Sequence, residues 1–292
     1  FLPGKQDYRS LCSCFTVRRT MTITRKESRL SASRILSNRE ICPGYFRMRI
    51  ACDPVYQSAL PGQFVMVRGL GQASPLLRRP FSIHDLILEG ARVTGFDILY
   101  KIIGKGTEAL SMSRAGDRVD VLGPLGRGFS TRGDFHRVHL VAGGIGVAPF
   151  VFLANHLRRQ GLSGTQITLF VGGRSCGDLV CLEIFEHLGI QLKVTTDDGS
   201  AGSQCVVTQP LGEALRQQKP EILFACGPIP MLRKVMALSE KDGIPCQISM
   251  ETMMACGMGA CLGCAVEKRD SKETYLHACM DGPVFEAGQV KI

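Results

Sequence analysis

The sequence lacks any long apolar run. Hydrophobic residues make up 45% of the 292 residues and charged residues 21%, but the apolar stretches are short and interrupted. None approaches the roughly 20 apolar residues that a helix needs to span a bilayer. Internal repeats and low-complexity segments are missing as well. We therefore expect a soluble protein with no role in the membrane.

A secretory signal with an apolar segment is also missing from the first residues, so the 13 cysteines are not expected to form a secreted disulfide scaffold. We expect the reducing cytoplasm, where most cysteines are buried and clustered ones are candidates for metal binding. The net charge of +9 comes without a nucleic-acid recognition motif or a basic-aromatic strip. Nucleic acid is therefore not an expected partner, whereas basic side chains do suit phosphate-bearing cofactors.

The N-terminus has no pattern of a folded element. The chain begins with Phe1, the first twenty residues show neither periodicity nor a hydrophobic face, and Met21 is a candidate start. We interpret residues 1–32 as an N-terminal extension that need not be native, and leave them out of the fold.

Between Ile35 and Val121 the sequence alternates short β-type segments with turns. Segments such as YFRMRIAC and RVTGFDILYKIIG mix β-branched and aromatic residues with polar ones, and Pro-Gly or Gly-Asp pairs mark the breaks. This spacing favours a small antiparallel barrel or sandwich, which we assign to residues 33–132.

From Phe135 onward, β-type segments alternate with helical ones, for example QITLFVGG followed by DLVCLEIFEHLG. This alternation predicts right-handed crossovers and a parallel sheet, assigned to residues 133–245. The remaining residues, 246–292, are too short for a core of their own, so something other than apolar burial is expected to hold them together. The predicted fold class is a multidomain α+β protein: an antiparallel β-barrel, an α/β parallel-sheet domain and a small C-terminal unit.

Two loops of the α/β region are candidates for nucleotide binding, because a parallel sheet binds ligands beyond the carboxyl ends of its strands. The candidate residues are Gly143, Gly144 and Gly146 in LVAGGIGVAP, and Cys226, Gly227 and Pro228 in FACGPIPML. Glycines let a backbone approach a pyrophosphate, but a tight turn needed for packing explains them equally well. A helix start with proline in its first turn suffices for the second loop. A third loop, TTDDGS, either holds a ribose or caps the next element.

The barrel region carries candidate residues of its own. In RRPFS the guanidinium of Arg79 suits a phosphate and Ser82 adds a hydroxyl. Downstream, LYKIIGKGTEALS offers Tyr100, Lys101 and a Gly-Thr turn before a predicted helix. A solvated arginine or a buried tyrosine explains each feature alone. Their coincidence ahead of a nucleotide-type sheet favours a cofactor site.

The densest signal is METMMACGMGACLGC, which places Cys256, Cys261 and Cys264 within nine residues and is followed by Cys279. The spacing C-x4-C-x2-C with a distant fourth cysteine is that of plant-type [2Fe–2S] sites. The intervening glycines let a loop wrap closely around a cluster. Structural zinc is the alternative, but it usually uses paired C-x2-C knuckles, and only one such pair is present here.

The order of these motifs resembles the electron-transfer subunit of class B, NAD-dependent dihydroorotate dehydrogenases, within the ferredoxin-reductase superfamily. The resemblance extends over nearly everything after about Ser33. Its specific part is CGMGACLGC followed by CMDGPVF, whereas RRPFS, GKGT and AGGIGVAP are shared across the superfamily.

The resemblance implies one cofactor for each part of the fold: FAD in the barrel, NAD(H) in the α/β domain and a [2Fe–2S] cluster at the C-terminus. The implied FAD residues are Arg79, Pro80, Phe81, Ser82, Leu99, Tyr100, Lys101, Gly106 and Thr107. Those implied on the nicotinamide side are Gly143, Gly144, Gly146, Cys226, Gly227 and Pro228. The implied cluster ligands are Cys256, Cys261, Cys264 and Cys279, and no residue is assigned a catalytic role.

The resemblance also implies a partner. Dihydroorotate would be oxidised on a separate FMN-containing catalytic subunit, in a heterotetramer that serves pyrimidine (UMP) biosynthesis, and electrons would pass through the cluster and FAD to NAD⁺. Two alternatives stay open. One is a reductase subunit of the sulfide dehydrogenase or NADPH:ferredoxin type, and the other is a zinc-stabilised nucleotide-binding module.

Three positions depart from the family pattern. Thr252 and Met253 stand where glutamate and arginine are expected, and Lys101 stands where arginine is expected. The first two leave the cysteines intact but alter their surroundings. Lysine at position 101 keeps the positive charge but cannot form the two parallel hydrogen bonds that an arginine makes to a phosphate. Arg174 follows a strand where the 2′-phosphate of NADP could lie, so the sequence does not decide between NAD and NADP.

Overall fold

The computed structural model describes residues 29–70, 76–271 and 273–292. A closed barrel comes first, with its strands in the order β1-β2-β5-β4-β3-β6. Its elements are β1 (Arg29–Cys42), β2 (Tyr45–Ala51), β3 (Phe64–Gly69), β4 (Arg79–Glu89), β5 (Arg92–Lys101), helix α1 (Lys105–Ser111) and β6 (Arg118–Leu125). All neighbouring strands are antiparallel, which confirms the predicted barrel.

Strand β1 begins earlier than predicted. Residues 1–28 of the expected extension lie outside the described residues, but Arg29 pairs with Gly123 and Arg34 with Arg118 on β6. Residues 29–32 therefore belong to the barrel and not to an extension, because their pairing with β6 is part of what closes it.

The barrel interior follows the two-residue period of its strands. On β2, Met48 and Ile50 are fully buried, and they face Ile98 and Phe96 on β5, which are also fully buried. The residues between them point outward, where Arg49 forms a salt bridge of 3.3 Å to Asp97. Such cross-strand pairs fix the register, because a one-residue slip would turn the apolar set toward water.

A seven-stranded sheet follows, in the order β10-β9-β8-β7-β11-β12-β15. Its elements up to β12, with the helices between them, are β7 (Val138–Gly143), α2 (Phe150–Arg159), β8 (Ile167–Gly173), α3 (Leu182–His187), β9 (Gln191–Thr196), β10 (Ser203–Gln204), α4 (Thr208–Gln217), β11 (Ile222–Cys226), α5 (Ile229–Asp242) and β12 (Cys246–Ser249). These strands are all parallel, as predicted. The strand order reverses between β7 and β11, the place where open α/β sheets bind ligands.

The C-terminal segment is joined to this sheet. After β12 come β13 (Ala265–Glu267), β14 (Tyr275–His277) and β15 (Val284–Glu286); β13 and β14 form a small antiparallel pair, and β15 pairs antiparallel with β12. Val266, Phe285 and Val290 are buried in the same apolar cluster as Leu223 of β11. Apolar burial therefore does hold this segment, contrary to the expectation, because the neighbouring sheet supplies the core that the segment lacks.

No helix in the described part of the chain is both long and apolar enough to cross a membrane.

Candidate functional site

Two adjoining pockets lie where the barrel meets the carboxyl ends of the parallel strands. The larger, about 780 Å³, is lined mainly by loops of the sheet, and we call it the sheet pocket. The smaller, about 590 Å³, is lined by β4, β5 and α1 of the barrel and by the loop after β12, and we call it the barrel pocket. Together they have the size and the position of a dinucleotide site at a strand-order reversal.

The predicted loops after β7 and β11 meet at the sheet pocket. Gly143, Gly144, Gly146, Gly227 and Pro228 all line it. Packing demands two of these glycines, since a Cβ at Gly146 would lie 2.2 Å from the carbonyl oxygen of Cys226 and one at Gly143 would lie 2.7 Å from Pro228. Gly144 instead has a φ of 53° and open space around it. The packing role and the pocket-forming role of these glycines are therefore compatible, because the glycines let the loops pack and the packed loops line the pocket.

The third loop divides its residues between two tasks. Asp197 and Thr195 line the sheet pocket. Asp198 is not among the lining residues, and its carboxylate accepts hydrogen bonds from the hydroxyl and the amide of Ser200, at 2.6 and 2.9 Å. The Thr195 hydroxyl is buried and has no partner in the described chain. Capping therefore accounts for Asp198 and Ser200, while Asp197 and Thr195 remain available to a ligand.

The barrel pocket gathers all the barrel residues singled out from the sequence. Its lining includes Arg79, Pro80, Phe81, Ser82, Leu99, Tyr100, Lys101, Gly106 and Thr107. Arg79 donates to the carbonyl oxygen of Leu77 at 2.8 Å and has no carboxylate partner among the described residues. Its charge is therefore free to meet an anion. Cys226, expected on the nicotinamide side, lines this pocket instead and not the sheet pocket.

Hydrogen bonds hold the walls of the barrel pocket in place. The Tyr100 hydroxyl donates to Asn38 at 3.0 Å, and the Asn38 amide donates to the carbonyl oxygens of Leu110 and Ser113 at 2.9 and 3.0 Å. The Thr107 hydroxyl accepts the amide hydrogen of Ile103 at 2.9 Å. Asn38 thereby ties the aromatic wall to the end of α1, and Thr107 closes the turn that begins this helix.

Lys101 lies on the boundary between the pockets and lines both. Its ammonium donates to Asp178 at 2.8 Å and to the Tyr45 hydroxyl at 2.9 Å, and Tyr45 donates to Asp178 at 2.6 Å. The hydrogen bond from Lys101 is the main reason that the pKa of Asp178 falls to about 2. The charge of Lys101 is thus neutralised within the chain, so its implied role toward the flavin phosphates stays a prediction.

Sequence reasoning missed the wall after β12. Met250, Glu251, Thr252 and Met254 line the barrel pocket, and Glu251 also lines the sheet pocket. The Thr252 hydroxyl is buried without a partner in the described chain. This wall could have been predicted from the position of β12 in the sheet. Because β12 lies parallel beside β11, the loop that follows it reaches the same edge of the sheet.

The four predicted cysteines form two pairs: Cys256, Cys261 and Cys264 lie on the loop between β12 and β13, which we call the cysteine loop, and Cys279 follows β14. Cys264 and Cys279 are buried, with their sulfur atoms 3.3 Å apart. The amide of Cys261 donates to the sulfur of Cys256 at 3.4 Å. No three His, Cys, Asp or Glu side chains of the described ranges gather around a single point. Two pairs suit a cluster of two irons, each with two thiolates, better than one tetrahedral zinc ion.

The backbone around Cys256 favours a thiolate. Partial burial alone would raise the pKa of this thiol, but amides of Met258, Cys261 and Ala260, at 3.3 to 3.4 Å, outweigh it and lower the pKa to about 7. Gly257 has a φ of 71°, a conformation that side chains disfavour, and a Cβ there would lie 2.5 Å from Met66 of β3. The loop therefore folds back on itself while it packs against the barrel.

Comparison with known families matches the two later parts of the chain. The family described as the iron-sulfur cluster binding domain of dihydroorotate dehydrogenase B matches residues 251–291, which contain all four cysteines. The oxidoreductase NAD-binding domain matches residues 140–237, which contain the loops after β7 and β11. The chain therefore has an iron–sulfur domain and an NAD-binding domain.

One solved structure resembles nearly the whole chain. A chain of the NADH-dependent reduced ferredoxin-NADP oxidoreductase, studied for flavin-based electron bifurcation, is 31% identical with a TM-score of 0.77, covering 89% of this chain and 90% of that one. The ferredoxin NADP⁺ reductase of Neisseria gonorrhoeae, with bound FAD and NADP, is 17% identical with a TM-score of 0.61 over 74% of this chain and 93% of its own, and shows the fold alone. The ferredoxin-reductase fold is thereby confirmed.

Curated relatives match over almost their full length. The electron transfer subunit of dihydroorotate dehydrogenase B (NAD⁺) from Desulforamulus reducens is 35% identical, over 90% of this chain and 98% of its own. That of Bacillus caldolyticus is 39% identical, over 88% of this chain and 96% of its own. With the barrel, the NAD-binding sheet and the iron–sulfur segment in the same order, the chain belongs to the family of electron transfer subunits of NAD⁺-dependent dihydroorotate dehydrogenase B.

Proposed function

We propose that this chain carries electrons between an FMN-containing dihydroorotate dehydrogenase subunit and NAD(H), through a [2Fe–2S] cluster and FAD, in pyrimidine biosynthesis. In this proposal Cys256, Cys261, Cys264 and Cys279 hold the cluster, and the barrel pocket holds the flavin. Dihydroorotate itself is oxidised on the partner. We propose that this chain works in a heterotetramer with that partner. The cytoplasm is the proposed location, since all cysteines in the described part carry free thiols.

The observation that carries this proposal is the continuity between the barrel pocket and the cysteine loop. Met250, Glu251, Thr252 and Met254 line the pocket, and Cys256 follows two residues later. A flavin against this wall is separated from the first cysteine by a few residues of one backbone. This short separation suits electron transfer between the two cofactors.

The residues of the barrel pocket fit a flavin nucleotide. Bound FAD would supply the exchange between a hydride, which moves two electrons, and a cluster that carries one. Within the described residues, Arg79 has no carboxylate partner and can offer its guanidinium to the phosphates, and the Thr252 hydroxyl has no partner and can offer a polar contact. Tyr100 and Leu99 form an aromatic and apolar wall. The remaining work of the chain is to orient the cofactors and to exclude water.

An apolar surface beside the cysteines supports docking of a partner protein. The side chains of Met253, Met258 and Leu262 are 89%, 50% and 58% exposed. Exposed methionine and leucine next to a redox centre are typical of a contact surface. Met253, where the family pattern has arginine, makes this surface more apolar than expected.

The proposal is tested by adding the partner. The full chain, loaded with FAD and cluster, should oxidise NADH with ferricyanide yet show no dihydroorotate:NAD⁺ activity. Addition of the FMN-bearing subunit should produce the coupled reaction, measured as NADH formed from dihydroorotate. Oxidation of dihydroorotate by this chain alone would refute the proposal.

The preference for NADH is expected to depend on Asp197, whose carboxylate lines the sheet pocket. A carboxylate there accepts a ribose hydroxyl and repels a 2′-phosphate. Replacing Asp197 with serine should raise kcat/KM for NADPH relative to NADH about tenfold, or about 1.4 kcal/mol. The matched control is Asp198→Ser, because Asp198 bonds Ser200 and does not line the pocket. Equal ratios in both variants would assign discrimination elsewhere, with Arg174 the next residue to test.

A second candidate is a subunit of the NADPH:ferredoxin type. It is favoured by the 31% identity to a chain of the reduced ferredoxin-NADP oxidoreductase. The two functions differ in the protein that exchanges electrons with the cluster. Ferredoxin-dependent NADPH formation by the loaded chain, with no response to the dihydroorotate-oxidising subunit, would establish the second candidate.

A further inference from the structure

The boundary between the sheet pocket and the barrel pocket is formed by three residues that line both, Lys101, Ile145 and Glu251. Ile145 has no ionisable group, and the ammonium of Lys101 is bound to Asp178 and Tyr45. Glu251 is different, because neither a hydrogen bond nor an ion pair engages its carboxyl group within the described ranges. An ionisable group without a partner thus stands between the two cofactor pockets.

The surroundings of Glu251 favour its protonated form. Glu251 is exposed where the two pockets open, and the protein packed around its carboxyl group raises the pKa of that group by partial desolvation. Cys226 on β11 interacts electrostatically with Glu251, and burial raises the pKa of its thiol to about 12, so the thiol stays neutral. Among the cations, Lys234 and Arg174 line only the sheet pocket, Arg79 and Lys105 line only the barrel pocket, and none of the four forms a salt bridge with Glu251 in the described residues.

The proposed electron transfer requires a proton at this boundary. Reduction of NAD⁺ follows NAD⁺ + 2e⁻ + H⁺ → NADH, and a [2Fe–2S] cluster provides one electron at a time and no proton. Each electron pair that enters from the cluster must therefore be joined by one proton before it leaves as a hydride. In the opposite direction, the same proton must be taken away.

Resting on the proposed function, we propose that Glu251 is the proton donor and acceptor for the flavin bound in the barrel pocket. In NAD⁺ reduction its carboxyl group gives up one proton for each pair of electrons received from the cluster. It recovers that proton from water at the sheet pocket. In NADH oxidation the carboxylate accepts the proton when the two electrons depart singly.

Two reactions of the FAD-loaded full chain separate this role from mere positioning. Hydride exchange between NADH and thio-NAD⁺ needs no proton, since the hydride arrives and leaves whole. Oxidation of NADH by ferricyanide, NADH + 2 ferricyanide → NAD⁺ + H⁺ + 2 ferrocyanide, must release one. The substitution Glu251→Gln should leave the exchange within about twofold of the unmodified chain and slow the ferricyanide reaction about 10²-fold, the usual lower range for a lost acid–base group.

The role of Glu251 can also be tested without turnover, by measuring the midpoint potential of the bound flavin as a function of pH. The unmodified chain should show a break at the pKa of Glu251, and the break should vanish in Glu251→Gln. Glu251→Asp keeps a carboxyl group and should recover the ferricyanide rate to within about tenfold. Glu286→Gln is the matched control, because burial also raises the pKa of Glu286 but it lines neither pocket.

Three results would overturn the role of Glu251. The first is an equal loss of hydride exchange and ferricyanide reduction in Glu251→Gln, and the second is an unchanged rate of both reactions in that variant. The third is a ferricyanide rate in Glu251→Asp as low as that in Glu251→Gln. Absence of hydride exchange in the unmodified chain would instead reject the proposed function itself, so the two failures are distinguishable.

Discussion

Replacing Cys279 with serine is expected to remove the iron–sulfur cluster while FAD stays bound. Cys279 is buried against Cys264 with their sulfur atoms 3.3 Å apart, so the substitution breaks one of the two cysteine pairs. The barrel pocket contains neither of these residues. Iron content should fall to background and dihydroorotate:NAD⁺ activity with the partner should be lost, while NADH:ferricyanide activity continues where the dye draws electrons from the flavin.

The matched control for this experiment is Cys246→Ser. Cys246 is also buried, on β12 of the parallel sheet, but it is not one of the four clustered cysteines. It should retain iron and the coupled reaction. Full iron occupancy in Cys279→Ser, or a coupled reaction that survives loss of the cluster, would contradict the assigned ligand set.

Arg79→Ala is expected to weaken FAD binding about 10²-fold. The guanidinium lines the barrel pocket without a carboxylate partner in the described chain, and a charge-assisted contact to a phosphate is worth about 2 to 3 kcal/mol. The measurement is flavin retained after dialysis, followed by titration with FAD. The FAD affinity of Arg79→Lys should lie between those of Arg79→Ala and the unmodified chain, because lysine keeps the positive charge but lacks the planar guanidinium.

Arg118→Ala serves as the control for Arg79, since Arg118 is an exposed barrel arginine that lines neither pocket. Its FAD affinity should match that of the unmodified chain. Undiminished affinity in Arg79→Ala would assign phosphate binding to other residues of the barrel pocket.

Local patterns were enough to predict the kinds of element and most of the loops that line the two pockets. Alternation of apolar and polar residues identified the barrel, and the repeated order of strand and helix identified the parallel sheet. Cys256, Cys261 and Cys264 are predicted ligands because an iron–sulfur loop takes its ligands from neighbouring positions, and such spacing is visible in a single sequence.

Contacts between distant residues were not predictable in this way. Lys101 and Asp178 are 77 residues apart in the sequence, and neither local sequence indicates that their charges neutralise each other. Glu251 is a lone glutamate after a short strand, and its importance arises only because β12 lies beside β11. The early start of β1 was missed for the same reason, since its partner β6 lies far along the chain.

The antiparallel pairing of β15 with β12 has a consequence for how the protein matures. The two strands clamp both ends of the segment that carries the cysteines, with Ser249 opposite Val284 and the amide of Met250 donating to the carbonyl oxygen of Pro283 at 3.0 Å. Pairing of these strands brings the ends of the segment together, so it offsets the entropic cost of loop closure that cluster binding would otherwise have to offset. We therefore expect cluster insertion to follow the folding of this part of the protein rather than to drive it.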